Sequence, residues 1–180
     1  MQSEIIPVIR WLRYVNSIFA FIASASIAVM IFLTTADTTL RYVLNAPIRG
    51  TIEISEVALV VCIYLGIAWT QQERGHTRVA LILTKLPPKK QVIFDILIWI
   101  ICFIFLFIIG WETGLEFIRS YQISEFRWGS IQMPIWWAKG LVPLGCWMTC
   151  LQIIIDVFID IKRLTGRLPL VIPDLNEIKE

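Results

Sequence analysis

Long uncharged runs separated by short charged stretches organise this chain. Four of them approach the roughly 20 helical residues that a ~30 Å hydrocarbon core requires. Val15 to Ala36 is uncharged throughout, and Ile52 to Gln72 is uncharged after Glu56. Val92 to Trp111 contains only Asp95, near its start, and Ile131 to Ile155 contains only Lys139, in its first part. Each of these charges lies within about two turns of a run's end, where a side chain reaches the interface without crossing hydrocarbon. The pattern predicts an all-α integral membrane protein with four transmembrane helices in one membrane unit, residues 1–180. Arg10 and Arg13 followed by Ala23-Ser24-Ala25 imitate a signal peptide, but the apolar run continues eleven residues past Ala25, too long for one. The first helix is therefore expected to be retained.

Between the second and third runs, residues 76–86 read HTRVALILTKL, too short to cross and too apolar for a solvated loop. Val79, Ile82, Leu83 and Leu86 share one helical stripe, His76 opens the segment, Arg78 and Lys85 lie along the flank, and Pro87-Pro88 close it. An amphipathic helix lying on membrane lipids is the simplest account, with a hairpin packed on the bundle as the alternative. Residues 165–180, with two prolines and mixed charge, read as a solvated tail.

Charge then orients the four spans. Eleven of the sixteen Lys and Arg fall on the side that holds both termini and the second connection, and five, Arg41, Arg49, Arg119, Arg127 and Lys139, fall on the other. The excess predicts that both termini are cytoplasmic. Trp11 and Trp69 at the cytoplasmic ends and Trp111, Trp128, Trp136 and Trp137 at the outer ends fit an aromatic belt, while Trp99 and Trp147 lie deeper and are expected to face protein.

Composition narrows the function. The hydrophobic fraction is 57% and only 17% of residues are charged, against roughly 25% for a soluble domain, and mean hydropathy is +0.73. Disorder and nucleic-acid binding do not fit this balance. A bis-His haem subunit needs two axial histidines, and His76 is the single histidine. Cys62, Cys102, Cys146 and Cys150 all sit in apolar runs and read as packing residues; Cys146 and Cys150 are four apart, but no His is near and Asp156 is the closest carboxylate. With no catalytic triad, no HExxH and no phosphate-cradling glycine loop, neither an enzyme nor a cofactor is expected.

Glu53 and Glu56 share a face in the first two turns of the second span. A transport carboxylate sits near the midplane, whereas these lie at the outer end, with Arg41 and Arg49 in the preceding loop. An outer-face ion-pair cluster is the expected role. Asp37 and Arg41, four apart, are expected to pair along the helix, and Glu112 and Glu116 read as a solvated outer end of the third span. Small residues mark where helices approach: Asn16, Ala20, Ser24 and Ala28 at steps of four, Gly66, the pair Gly110 and Gly114, and Gly140 and Gly145 around Pro143.

Residues 41–87 carry Arg41-Tyr42, Asn45, Pro47-Ile48, Glu53 and Glu56, Gly66, Gly75-His76 and Leu86-Pro87 in one order, and residues 130–145 read SIQMPIWWAKGLVPLG. In these features the chain resembles the small membrane subunit, of DctQ type, of tripartite ATP-independent periplasmic (TRAP) transporters. The one departure is Ala80, where that family often has an acidic residue after the Val of its amphipathic stretch. The resemblance implies an accessory subunit in the inner membrane. Its partners would be a larger polytopic subunit carrying a sodium-coupled path and a periplasmic substrate-binding protein that captures an organic acid. Arg41, Asn45, Pro47, Arg49, Glu53 and Glu56 would then form outer-face structural or partner contacts. Two other classes stand beside it: a self-contained four-helix exporter working as a homodimer, which needs a midplane ionisable group, and a redox subunit, which needs cofactor ligands.

Overall fold

The structure, a computed structural model, describes residues 2–73, 87–129 and 131–165. Its elements are α1 (Gln2–Leu44), α2 (Thr51–Gln72), α3 (Pro88–Gln122), the two-residue strands β1 (Phe126–Arg127) and β2 (Met133–Pro134), and α4 (Trp136–Leu164). All four helices are long and apolar enough to cross a membrane, and the fold is that of an all-α membrane protein. The segment 76–86, with His76, Arg78 and Lys85, lies outside the described residues.

Three of the helices run well past the uncharged stretches that announce them. α1 has 43 residues and α3 has 35, about 64 and 52 Å at a rise of 1.5 Å per residue. A charge ends a hydrophobic run but does not end a helix; a change of backbone conformation does. α1 stops where Asn45 enters the left-handed region, φ 51°, ahead of Pro47. α2 starts after Gly50 at φ 88°, where a Cβ would strike the Ile131 side chain, so glycine is required twice over. At the fourth span the apolar run begins at Ile131 but the helix begins at Trp136. Met133 and Pro134 pair antiparallel with Arg127 and Phe126, and the Ile135 N–H donates to the Glu125 carbonyl at 3.1 Å, closing a hairpin over the α3–α4 junction.

The main packings are α1 on α2, α2 on α4, and α4 on α3. The helices therefore form a row in the order α1, α2, α4, α3. Small residues set the close approaches. A Cβ at Gly66 would lie 3.7 Å from the Ala23 Cβ, one at Gly145 would collide with the Tyr64 carbonyl, and one at Gly110 would lie 3.2 Å from the Cys146 Cβ. Further along α3, Gly114 faces Pro143, Gly140 faces the Phe117 ring, and Tyr121 meets Trp136 edge-on with centroids 5.3 Å apart. Trp99 is buried, but Trp147 is partly exposed and meets Phe107 edge-on at 5.1 Å. Pro143 inside α4 breaks a ladder bond, and glycines on either side give its neighbours room.

These contacts fix the relative depth of the helices and correct two expectations, the outer-end positions of Trp111 and of Glu112. Glu112 lies between Gly110, opposite Cys146, and Gly114, opposite Pro143, and is therefore level with Leu144 and Gly145 of α4 and, through Gly145, with Tyr64 of α2. Glu112 is not at the end of α3, which continues to Gln122.

Candidate functional site

Polar groups gather at the two ends of the row. One end holds the α1–α2 turn and the hairpin, the other the start of α1 and the close of α4. At the hairpin end, Asp37 on α1 accepts the Ile48 N–H at 2.7 Å and the Arg41 guanidinium at 2.7 Å, and the Thr51 hydroxyl donates to the Ile48 carbonyl at 3.1 Å. The turn carrying Asn45, Pro47 and Arg49 is thus tied back to the helix that precedes it. Glu56 on α2 pairs with Arg127 on β1. Glu125, after α3, accepts the Ser120 hydroxyl at 2.6 Å and the Lys139 ammonium, which reaches across from α4. The Lys139 hydrogen bond, seconded by the one from Ser120, holds the Glu125 carboxyl below the usual carboxylate range.

The expected cluster of two glutamates with Arg41 and Arg49 is therefore partitioned differently. Arg41 is occupied by Asp37, and Glu56 by Arg127, because the hairpin folds over the start of α2 and presents its own cation. Glu53 is buried between the two groups, with Gly129 so close that a Cβ there would strike its carboxylate. It is a shared wall. On one side a hollow of about 280 Å³ is lined by Arg41, Pro47, Arg49 and Glu53. On the other a cavity of about 160 Å³ is lined by Glu53, Glu56, Arg127 and Lys139 above Val57, Val60, Ala138 and Val142. Asn45 is exposed at the tip of the turn. Arg127, Glu125 and Lys139 drew no functional reading from sequence, since their partners lie across loops whose path no local spacing gives.

The opposite end holds a second set that sequence spacing did not bring together. Asn16 on α1 donates to Gln72 at 3.0 Å, Gln71 on α2 donates to Asp156 on α4 at 3.0 Å, and Arg163 donates to Asp160 at 3.0 Å. Asn16, Gln71, Asp156 and Asp160 are buried, as is Asp95 at the same end of α3. Buried polar side chains require partners, and these bonds link α1 to α2 and α2 to α4.

Of the residues read as packing positions, Gly66, Gly110 and Gly114 stand at the helix contacts given above. Ala20 and Ser24 line an open groove of about 570 Å³ between α1 and α2, opposite Cys62 and Gly66. The Ser24 hydroxyl is turned back onto the Ala20 carbonyl at 2.9 Å, and Ala28 is exposed. Ala23, one residue off that stripe, is the buried contact. Among the described residues no group of three or more His, Cys, Asp or Glu is placed to hold a metal ion, and burial raises the Cys150 and Cys146 side chains' claim to a packing role.

Residues 30–163 match the family model described as tripartite ATP-independent periplasmic transporters, DctQ component. The chain belongs to this family. The match runs from mid-α1 to the last turn of α4 and so takes in all four helices and the hairpin. Over 96 residues the chain is also 28% identical to a Haemophilus influenzae protein that carries the name of a TRAP transporter small permease protein. That stretch is 51% of this chain and spans 60% of the relative. A DctQ component with four apolar helices is a multi-pass membrane protein and a transporter subunit.

Proposed function

We propose that this chain is the small scaffold subunit of a TRAP transporter, joined to a larger transport subunit for sodium-coupled uptake of an organic acid delivered by a periplasmic binding protein. The observation that carries this reading is the open row. α1 and α3 each pack mainly on one neighbour, and the broad apolar faces left over suit a second membrane protein as well as lipid. A scaffold must hold its own shape while another part moves. Bonds that tie α1 to the α1–α2 turn, α2 to the hairpin and α3 to α4 at one end, and α1, α2 and α4 at the other, supply that stiffness.

The proposal places the membrane as the bacterial inner membrane, with both termini in the cytoplasm and the hairpin end facing the periplasm, as the distribution of Lys and Arg supports. Arg41, Asn45, Pro47 and Arg49 then form a rigid turn on the side from which a binding protein arrives. The test is purification of the tagged chain, co-expressed with its genomic neighbours, in mild detergent. A larger polytopic protein at fixed stoichiometry is the expected result. A chain that runs alone as a homo-oligomer and moves a solute by itself would instead establish the small-exporter reading.

A further inference from the structure

We propose that one face of α3, centred on Glu112, is the surface on which a helix of the larger subunit docks, and that this partner helix presents a cationic side chain, Lys or Arg, at the depth of Glu112. The proposal rests on the scaffold-subunit reading.

The depth comes from the helix register. Glu112 is level with Gly145 and Tyr64, and Gly66 is in turn set against Ala23. At 1.5 Å per residue that level lies about 9 Å inward from Lys139, about 12 Å from Glu56 and about 18 Å from Asp37. Toward the opposite end it lies about 14 Å from Glu73, about 16 Å from Asp156 and about 18 Å from Arg13. The other three helices therefore put Glu112 near the middle of their uncharged spans. Yet Glu112 is exposed, and among the described residues it makes no hydrogen bond or ion pair. One turn on, Glu116 is also exposed and is paired with Arg119 at 3.3 Å. An ionisable side chain at this depth faces protein or water, not hydrocarbon.

The face around it has the form of a helix seam. Phe94, Ile98, Ile101, Phe105 and Ile108 lead to Glu112 in alternating steps of four and three, the spacing at which one helix packs along another. All are exposed, on the side of α3 turned away from its α4 contacts at Trp99, Gly110 and Phe117. A seam of large apolar side chains ending in a carboxylate left unpaired among the described residues is complementary to an apolar helix carrying one cation. Charge complementarity thus selects the larger subunit over lipid, and over a second copy, whose identical face would oppose carboxylate to carboxylate.

The experiment uses the complete small and large subunits, co-expressed and purified through a tag on the small one. Glu112→Lys is expected to reduce recovery of the larger subunit at least tenfold, and Ile100→Ala, off the seam, to change it less than twofold. Circular dichroism of the variants checks that helix content is kept. A second measurement leaves Glu112 in place: single cysteines at Phe105 and Ile108 are expected to cross-link to the larger subunit, and one at Ile100 is not. Wild-type chain that retrieves no larger subunit overturns the scaffold-subunit reading itself. Wild-type chain that retrieves it, with Glu112→Lys equally effective and seam cysteines uncross-linked, overturns this inference alone. Seam cysteines that cross-link two small subunits overturn it in favour of a homodimer.

Discussion

Glu125 shows how one carboxylate ties two helices at the point where the chain leaves the membrane. It receives Ser120 from the end of α3 and Lys139 from the first turn of α4. Its folded-state pKa is depressed, so the stabilisation is fully present above the ordinary carboxylate value of about 4.3 and is lost as pH falls through the lower folded value. Thermal unfolding in detergent is expected to show a fall in Tm as the pH drops below about 4.3 that is smaller in Glu125→Gln. An identical acid profile in the variant would remove Glu125 from the account. Local spacing made the Asp37–Arg41 pair legible, since it spans a single helical turn. It could not reveal Gln71 with Asp156, 85 positions apart, or Glu56 with Arg127, because these pairs exist only once the helices have packed.

Element existence was written in the length of the uncharged runs, and element ends were not. The membrane selects for apolar residues over about 20 positions, but the helix continues until Asn45, Gly50, Pro87 or the Ser124 turn changes the backbone. Glycines gave the approximate contact points and not their tightness. Gly145 and Gly66 look equivalent in sequence, yet a methyl group at Gly145 meets the Tyr64 carbonyl, a backbone atom that cannot turn aside, whereas one at Gly66 meets the Ala23 Cβ at an ordinary 3.7 Å. Gly145→Ala is therefore expected to destabilise the α2–α4 pair by about 1–3 kcal/mol, seen as a lower Tm. Gly66→Ala is expected to leave the Tm unchanged or slightly raised. Equal effects at both positions would mean that α2 and α4 do not approach this closely.

At the scale of the molecule, sequence predicts the four membrane-crossing helices but not their order in space. Small residues on every helix are compatible with many arrangements, and the row α1, α2, α4, α3 emerges from which glycine finds which backbone. The row also changes the meaning of Glu112, which a span-by-span reading assigns to a solvated end and which register with α4 and α2 moves inward. Orientation is the remaining property of the whole, and it follows from charge: the end bearing the Asn45 turn and Trp128 is expected outside, and Thr165 at the close of α4 inside. Single cysteines at Asn45, Trp128 and Thr165, in a background with the four native cysteines replaced, separate the possibilities in intact cells. A membrane-impermeant maleimide should label the first two directly, and the third only after the membrane is opened. Because successive helix connections alternate sides, Asn45 and Trp128 must report one side and Thr165 the other. Labelling of Thr165→Cys from outside with protection of the other two would invert the molecule and take the Arg41 and Arg49 turn out of reach of any periplasmic partner.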